Sequence, residues 1–381
     1  MNVRFLSAFS MVVLAAGFAF ALDDEDAAKW DPRMAQENAV VDTNGVKWID
    51  GRYLPIEGRP FRDAVPYFAR LPEGLSTNVN AGVRNMRKHT AGMQFRFRTD
   101  AKSLTFRWEN GGGGSNSMPP TGTSGIDIYR FDTSRGKWRY VRTGSPRTDG
   151  PASVKVPWTP GDACLVNLPL YAGVRSFALG VPPTAKIESL GPRKSGIDKP
   201  VVFYGTSITH GGCASRPGMA FVNIVGRDLD VPVVNLGFSG SGVMEYEMSD
   251  WLAKIDASCY VLDCLWNMGT RAHPVRRAGR NVDENYEPFI RNLRAKRPGV
   301  PIVMAEQCDV FGGGANEKDG IVRRLYEKLL AEGWTDLVYL PKTEMYAGDG
   351  EGTVDGCHPN DWGMVTMARA YGKAVSEALK K

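Results

Sequence analysis

The sequence predicts an all-β sandwich of jelly-roll type, followed by a three-layer α/β domain with a parallel sheet. Between residues 48 and 190, short segments alternate apolar and polar residues at a period of two, which is typical of half-buried strands. From residue 201 onward, continuous apolar runs alternate with longer helix-like segments, as in a parallel sheet covered on both faces. We therefore place the β-sandwich domain at residues 22–195 and the α/β domain at residues 196–381.

The first 21 residues have the pattern of a cleaved signal peptide. Arg4 precedes an almost wholly apolar run from Phe5 to Phe20, and residues 19–21 form a small-x-small cleavage pattern. Because the run is short for a membrane span, we interpret it as a cleaved segment, with an uncleaved N-terminal anchor as the alternative. This interpretation predicts a secreted or periplasmic protein.

Within the β-sandwich domain, the alternation is clearest at Met93–Arg98 and Leu104–Trp108. The segments Ile126–Phe131 and Lys137–Val141 flank a short polar turn, and we predict that they form a hairpin. The stretch Gly111–Gly125 is rich in glycine, serine and proline, which favours a loop.

Continuous apolar runs give the predicted strands of the parallel sheet, at residues 201–204, 231–236, 260–265, 301–305 and 337–340. Helices are predicted between and after them, at residues 285–296, 321–332 and 361–381. Because ligands and catalytic groups in such a sheet gather at the carboxyl ends of the strands, we expect the functional residues there.

Composition argues against several classes of protein. The 381 residues are 43% hydrophobic and 23% charged, with a formal net charge of +5 and no block of lysine and arginine. We therefore expect neither nucleic-acid binding nor stable membrane association, and the composition does not indicate an oligomeric state. The six cysteines could form disulfides in an exported chain, although buried free thiols fit Cys259 and Cys264 equally well. None shows the paired spacing of a zinc site.

Ser207 is the candidate nucleophile. The first apolar run of the α/β part ends at Tyr204 and is followed by Gly-Thr-Ser, so Ser207 lies at a strand end where a helix begins. A helix N-terminus also stabilises developing negative charge. Since a serine in such a turn is more often an N-cap, the assignment depends on the residues that accompany it.

A serine nucleophile needs a base to take its proton, and an acid to orient that base. Of the four histidines, one falls in the predicted sandwich, one in an arginine-rich predicted loop and one only three residues from the serine; these are His89, His273 and His210. His358 fits better, because Asp355 lies three residues before it in a short loop that can bring the carboxylate to ring Nδ1. His358 is the candidate base.

An oxyanion hole is the remaining requirement. The second predicted strand ends in a glycine- and serine-rich run, residues 237–242, where backbone N–H groups can approach a substrate closely. The third ends shortly before Asn267, which presents a side-chain amide at the same edge. Three successive strands thus supply Ser, Gly and Asn, and this mechanism requires no metal or cofactor.

This order of Ser, Gly, Asn and His resembles that of the SGNH (GDSL-type) hydrolase superfamily, which implies a flavodoxin-like catalytic domain. Gly205–Ile208 replaces the usual Gly-Asp-Ser-Leu. The chain is more closely similar to the secreted bacterial subgroup with a β-domain in front. Tyr204–Gly218 resembles the first block of that subgroup, and Gly125–Tyr129 its Gly-x-Asp-Leu-Tyr signature. Trp266 departs from the proline that the subgroup tends to have before the third-block asparagine.

The resemblance implies that Ser207 is the nucleophile and that His358, oriented by Asp355, acts first as general base and then as general acid. It also implies two oxyanion donors besides the Ser207 N–H, namely the Gly240 N–H and the Asn267 amide. Gly240 is chosen over Gly237 by aligning the Ser-Gly step.

Residues 237–241 also begin like the Gly-x-Ser-x-Gly elbow of α/β-hydrolases, which would make Ser239 the nucleophile. The pattern fails at its last position, and Ser207 would then have no role. Ser207 is therefore preferred.

Export, the β-sandwich and tryptophans beside the catalytic blocks suggest a carbohydrate ester as substrate. Sugars stack on indole faces, and Trp266 and Trp362 are the candidates, with core packing as the alternative. We expect a secreted serine esterase that deacetylates O-acetylated poly- or oligosaccharides. A short-chain lipid or acyl esterase is one alternative, and a non-catalytic carbohydrate-binding protein is another.

Overall fold

The computed structural model describes residues 39–275, 280–309, 314 and 316–380, and within them the chain forms three β-sheets. Two sheets are antiparallel and come from the N-terminal part, and the third is parallel. All three belong to one compact unit. The predicted signal peptide at residues 1–21 lies outside the described residues.

The N-terminal part contains eleven short strands and two short helices within the described range. The strands are β1 Val40–Val41, β2 Lys47–Asp50, β3 Ile56–Glu57, β4 Gln94–Thr99, β5 Ser103–Gly113, β6 Ile126–Asp132, β7 Lys137–Gly144, β8 Ala152–Pro157, β9 Ala163–Asn167, β10 Ala172–Val181 and β11 Ile187–Ser189. The helices are α1 Ala81–Met86 and α2 Pro120–Thr123. One sheet has the order β1-β2-β10-β5-β8 and the other β11-β4-β9-β6-β7, with β3 paired to β4.

Buried aromatic side chains join the two antiparallel sheets. The Phe177 ring on β10 lies 4.5 Å from the Phe95 ring on β4 and 6.1 Å from the Phe106 ring on β5. Because β4 belongs to one sheet and β5 and β10 to the other, these contacts form the centre of a sandwich core. The predicted β-sandwich is confirmed.

The pairing of β6 with β7 confirms the predicted hairpin. The loop predicted for Gly111–Gly125 was wrong at both ends. Strand β5 continues through Gly113, which pairs with Ala172 on β10, and α2 occupies residues 120–123. Positive φ angles at Gly112 and Gly113 fit the register shifts of this pairing, which β-branched residues would resist.

The parallel sheet contains β12 Val201–Gly205, β13 Val233–Gly237, β14 Cys259–Asp263, β15 Ile302–Ala305 and β16 Leu337–Leu340. Its order is β13-β12-β14-β15-β16, the flavodoxin-like arrangement in which the first strand lies between the second and the third. Chain order reverses beside β12, so the carboxyl end of β12 is the expected ligand site of this fold.

The helices of this part are α3 Ser207–His210, α4 Phe221–Leu229, α5 Tyr246–Ala253, α6 Val282–Lys296, α7 Glu317–Ala331 and α8 Asp361–Ala378. Residues of α5, α6 and α7 pack with Val202 and Tyr204 on one face of the sheet. Residues of α4 and α8 pack with Val201 and Phe203 on the other. The three-layer prediction is confirmed, and the three predicted helices correspond to α6, α7 and α8.

The N-terminal part contributes to both hydrophobic layers beside the parallel sheet. Phe61, Leu71 and Val83 belong to the core on the α5 side, and Met118 and Leu170 belong to the core on the α4 side. The boundary between residues 195 and 196 stays a prediction, but apolar packing crosses it.

Hydrogen bonds to a buried carboxylate also cross that boundary. Asp127, on β6, is fully buried and accepts hydrogen bonds from Asn167 Nδ2 (2.9 Å), Arg216 Nη1 (2.7 Å) and the Gly218 N–H (2.9 Å). The Arg216 guanidinium also lies 4.1 Å from the Tyr140 ring centroid. The Asp of the Gly-x-Asp-Leu-Tyr signature therefore ties the sandwich to the segment that follows Ser207.

Replacing this carboxylate is expected to destabilise the protein strongly. Asp127→Ala removes the acceptor of a buried amide and a backbone N–H and, within the described part of the chain, the only carboxylate paired with the Arg216 guanidinium, so we expect a loss of about 3–5 kcal/mol in the free energy of unfolding. Urea unfolding followed by tryptophan fluorescence measures it. Asp149→Ala is the control, because its ion pair with Arg147 is exposed on both sides and its removal should leave the midpoint unchanged. Equal midpoints for all three proteins would contradict the anchoring role.

Candidate active site

The turn after β12 places Ser207 at the carboxyl edge of the parallel sheet. Thr206 caps α3, its side chain accepting a hydrogen bond from the Ile208 N–H, and Ser207 is the first residue of that helix. A Cβ at Gly205 would lie 2.0 Å from Thr209 Oγ1, so the turn closes only with glycine there. Ser207 is 8% exposed, so the residue is largely buried but retains some contact with solvent.

Ser207, His358 and Asp355 form a continuous hydrogen-bonded chain. Ser207 Oγ lies 2.8 Å from His358 Nε2, and His358 Nδ1 lies 2.8 Å from Asp355 Oδ2. The geometry fits a neutral imidazole that donates from Nδ1 and accepts the serine proton at Nε2. The structure thus brings these three predicted residues together in the predicted order.

The loop before α8 folds back on itself to orient the carboxylate. Asp355 Oδ1 accepts from the backbone N–H groups of His358 (2.7 Å) and Cys357 (3.0 Å), while Oδ2 faces the ring. Burial acts to raise the pKa of Asp355, but these hydrogen bonds outweigh it and lower the pKa below its usual value. Asp355 is therefore an anion that can stabilise an imidazolium at His358.

The predicted oxyanion donors lie on two loops in contact with each other. Gly240 has φ +63°, which favours glycine, and its carbonyl accepts from Arg280 Nη1 at 2.8 Å. Asn267 Nδ2 donates to the carbonyls of Gly242 (3.2 Å) and Phe238 (3.4 Å), so the third-strand side chain binds the second-strand loop. Both loops follow strands adjacent to β12 at the carboxyl edge.

The other histidines have different surroundings, as their sequence positions suggest. His273 is exposed and contacts Glu317 Oε2 at 2.8 Å. His210 is fully buried and faces Arg70 and His89, which come from the N-terminal part.

Sequence reasoning missed Gly212 and Tyr171. A Cβ at Gly212 would lie 2.9 Å from both the Ser207 carbonyl and the Tyr171 hydroxyl, and 3.2 Å from His358 Cδ2. Only a glycine fits between the nucleophile turn and the imidazole, and the Gly-Gly doublet at residues 211–212 is a signal that could have indicated this. Tyr171, which donates to the Ser207 carbonyl at 3.0 Å, carries no such signal in the sequence.

The two predicted substrate-binding tryptophans differ in exposure. Trp362 is 52% exposed at the start of α8, beside Gly348. Trp266 is half-buried; its Nε1 donates to the Cys308 carbonyl at 2.5 Å and its ring faces the Lys318 ammonium at 5.9 Å. Trp362 is therefore the one with an open indole face.

All six cysteines are free thiols, and Cys259 and Cys264 are buried, as one of the two sequence interpretations had it. Within residues 39–275, 280–309, 314 and 316–380, no group of three or more histidine, cysteine or acidic side chains is arranged to hold a metal ion. In the same part of the chain, no helix has the length and apolar character needed to cross a membrane.

Two family models match the chain. A model of the GDSL-like lipase/acylhydrolase family matches residues 198–376, and a model of the GxDLY N-terminus of SGNH-type esterases matches residues 46–187. Residues 198–376 belong to the GDSL-like lipase/acylhydrolase family, and residues 46–187 are the N-terminal domain that accompanies SGNH-type esterases. This confirms the predicted resemblance in both parts, and it identifies the protein as an SGNH-type esterase.

Solved structures similar to this GDSL-type esterase extend over nearly all of the described chain. A GDSL-like lipase from Bacteroides ovatus is 26% identical, with a TM-score of 0.73 over 88% of this chain and 98% of that one. Salicylyl-acyltransferase SsfX3 from a tetracycline biosynthetic pathway is 17% identical (TM-score 0.66; 88% and 98%). A family two carbohydrate esterase from Clostridium thermocellum is 14% identical (TM-score 0.56; 76% and 93%). The acyltransferase and the Clostridium thermocellum esterase share the fold of this chain. No curated protein sequence matches the chain.

A buried carboxyl group contacts the nucleophile turn of this esterase. Asp263 ends β14, is almost fully buried, and accepts a hydrogen bond from Thr209 Oγ1 at 2.7 Å. Burial raises the pKa of Asp263 to about 7, although the bond from Thr209 acts to lower it. The carboxyl group therefore titrates near neutral pH in the folded protein.

This shift predicts a pH-dependent stability. Between pH 4 and about 7 the folded protein holds a proton at Asp263 that the unfolded chain releases, so the free energy of unfolding falls as pH rises, by up to about 1.4 kcal/mol per pH unit. Asp263→Asn keeps an acceptor for Thr209 without the ionisation and should remove this part of the slope. Urea unfolding at pH 5 and pH 8 of both proteins tests it. An unchanged pH dependence in the variant would contradict the assignment.

Proposed function

We propose that this protein is an exported serine esterase that removes O-acetyl groups from carbohydrates, with Ser207 as its nucleophile. The observation that carries the proposal is the chain from Ser207 Oγ through His358 to Asp355, with two contacts of 2.8 Å. It supplies a nucleophile, a base within proton-transfer distance and an anion that orients the base.

In the proposed reaction, His358 Nε2 takes the Ser207 proton while Oγ attacks the ester carbonyl. Asp355 stabilises the imidazolium that results. The imidazolium then protonates the leaving alcohol, and the acyl-enzyme is hydrolysed by water, activated in turn by His358. The Ser207 proton passes through His358 Nε2 to the leaving alcohol, and a proton of the attacking water passes through Nε2 back to Ser207 Oγ. The site is therefore regenerated after one ester is hydrolysed.

The negative charge of the tetrahedral intermediate would be held by the N–H groups of Ser207 and Gly240 and by the Asn267 amide. The two present contacts of Asn267 Nδ2 are long, at 3.2 and 3.4 Å, so one of them can be exchanged for the oxyanion at small cost. Donors to an oxyanion typically contribute several kcal/mol to the lowering of the barrier.

A carbohydrate substrate is supported by Trp362 and by the neighbours of the fold. Trp362, whose indole is exposed, is the second residue of the helix that follows the His358 loop, so it lies close in sequence to the proposed base. Structures of the same fold include family two carbohydrate esterases from Clostridium thermocellum and Cellvibrio japonicus. An acetyl group also suits a nucleophile that is only 8% exposed.

Export is proposed from the N-terminal pattern of Arg4, the apolar run to Phe20 and the Ala-Phe-Ala step. N-terminal sequencing of the protein recovered from the periplasm or the medium tests it. A mature chain that begins near residue 22 supports export with cleavage, and recovery of the intact chain from the cytoplasm contradicts it.

Removal of the proposed nucleophile or base should nearly abolish hydrolysis. For Ser207→Ala and His358→Ala we expect kcat on p-nitrophenyl acetate to fall on the order of 10⁶-fold, and for Asp355→Asn on the order of 10⁴-fold, because such groups act as a unit. His273→Ala is the control and should keep wild-type kcat. Fluorophosphonate labelling should be lost in Ser207→Ala. If that variant retained most of its activity, Ser239 would become the candidate nucleophile.

Loss of the Trp362 indole should weaken binding of glycan substrates alone. For Trp362→Ala we expect KM for an acetylated oligosaccharide to rise about 10-fold, from lost stacking of about 1.4 kcal/mol, with little change in kcat on p-nitrophenyl acetate. Tyr246→Ala is the matched control, since Tyr246 is also 52% exposed but lies on α5. The rate of acetate release from each substrate measures these constants for both variants. Equal effects of the two variants, or a preference for p-nitrophenyl esters of C8 or longer, would contradict a carbohydrate acetyl ester.

A further inference from the structure

Tyr171 is a residue of the N-terminal part that reaches the nucleophile turn. It directly precedes β10, it is 6% exposed, and its backbone N–H donates to the Thr123 carbonyl at 3.0 Å. Its hydroxyl donates to the carbonyl of Ser207 at 3.0 Å. Burial raises the pKa of the Tyr171 hydroxyl well above its usual value, so it stays protonated and remains a donor.

Three donors converge on the Ser207 carbonyl. Two come from the turn itself, the N–H groups of Gly211 and Gly212, the latter at 2.7 Å. Tyr171 supplies the third from outside the turn. Because α3 has only four residues, its own hydrogen bonds constrain it weakly, and an external donor has a large influence on its orientation. The residue Ser207 carries both the attacking hydroxyl, on its side chain, and a predicted oxyanion N–H, so its orientation matters to the reaction.

The Tyr171 ring is held by a buried stack. It lies parallel to the His210 ring, with 4.1 Å between centroids and 17° between planes. His210 Nε2 in turn contacts Arg70 Nη2 at 3.4 Å and His89 Nδ1 at 3.3 Å. Since a guanidinium only donates, His210 Nε2 must be the acceptor, and His89 must donate from Nδ1. Burial, together with the Arg70 charge, lowers the pKa of His210 well below its usual value, so this ring stays neutral.

Arg70 fixes this stack to the second strand of the sheet. It is fully buried, and its guanidinium donates to the carbonyls of Gly237 (2.8 Å), Asn235 (3.0 Å) and Met86 (2.9 Å). Gly237 is the last residue of β13, immediately before the loop that carries Gly240. The same buried group of side chains therefore holds the nucleophile turn at one end and the start of the candidate oxyanion loop at the other.

We propose that Tyr171 is a positioning residue for ester hydrolysis: its ring is held against His210, which Arg70 contacts in turn, and its hydroxyl orients Ser207 for attack and for oxyanion binding. The proposal rests on the proposed role of Ser207 as nucleophile. It makes the β-sandwich part of the reaction apparatus, through a side chain that contacts the nucleophile turn.

The test compares Tyr171→Phe, which keeps the ring stacked on His210, with a matched loss of a hydroxyl elsewhere. Tyr260→Phe is the control, because the buried Tyr260 hydroxyl also donates to backbone carbonyls, those of Leu252 (3.2 Å) and Ile255 (2.8 Å). Tyr260 is the second residue of β14, near the amino end of the parallel strands, whereas Ser207 follows the carboxyl end of β12. For each protein, kcat and KM on p-nitrophenyl acetate, the rate of fluorophosphonate labelling and the melting temperature are measured.

For Tyr171→Phe we expect kcat and the labelling rate to fall together by about 10- to 100-fold at nearly constant KM, since small misplacements of a reacting group have effects of this size. Tyr260→Phe should lower the melting temperature by about as much as Tyr171→Phe does, but it should leave kcat unchanged. Tyr171→Leu, which also removes the stacked ring, should lose at least as much kcat as Tyr171→Phe.

The proposal is overturned if Tyr171→Phe keeps wild-type kcat per labelled site, whatever its melting temperature and whatever Tyr171→Leu does, because the hydroxyl would then be structural only. It is equally overturned if Tyr260→Phe loses as much kcat as Tyr171→Phe. A wild-type protein that neither reacts with fluorophosphonate nor hydrolyses the ester removes the proposed function itself. If only the Tyr171 proposal is wrong, the wild-type protein still hydrolyses the ester and reacts with fluorophosphonate.

Discussion

The site depends on the direct contact between the end of β12 and the loop that follows β13. The Phe238 N–H donates to the Gly205 carbonyl at 2.9 Å, and a Cβ at Gly242 would lie 2.0 Å from that same oxygen. Because the two backbones touch, the turn that carries Ser207 and the loop that carries Gly240 cannot shift independently. The Asn267 amide binds this loop as well, so three strand ends form one rigid edge on which the His358 loop closes.

Two buried side chains of opposite charge, Asp127 and Arg70, connect the β-sandwich to this edge of the parallel sheet. Asp127 is an anion whose partners include the Arg216 guanidinium, so its charge is compensated where it crosses between the two parts. Arg70 instead donates to three backbone carbonyls, and burial lowers its pKa to about 9. A guanidinium tolerates such a place because its five donors match several carbonyls at once. The first charge fixes the segment after the nucleophile, and the second lies beneath the strand that leads to the oxyanion loop.

Much of the architecture and most of the candidate site were accessible from sequence, for identifiable reasons. Strands such as Leu337–Leu340 are continuous apolar runs, and Ser207 and His358 stand next to recognisable local patterns. The pairing of Gly111–Gly113 with β10 was not accessible, because composition favours a loop there and the partner strand lies some 60 residues away. Tyr171 was missed for a related reason: its role depends on a contact with a turn 36 residues further on, and no spacing rule predicts which buried tyrosine will meet which carbonyl.

The shared hydrophobic cores limit how this protein can be recombined. Phe61, Leu71 and Val83 are packed in the same core as Tyr204 and Leu262 of the parallel sheet, so excision of the catalytic half would leave a broad apolar face in water. Here the two halves are interlocked, and a chimera that exchanges one of them must also exchange the side chains of the other that cover it.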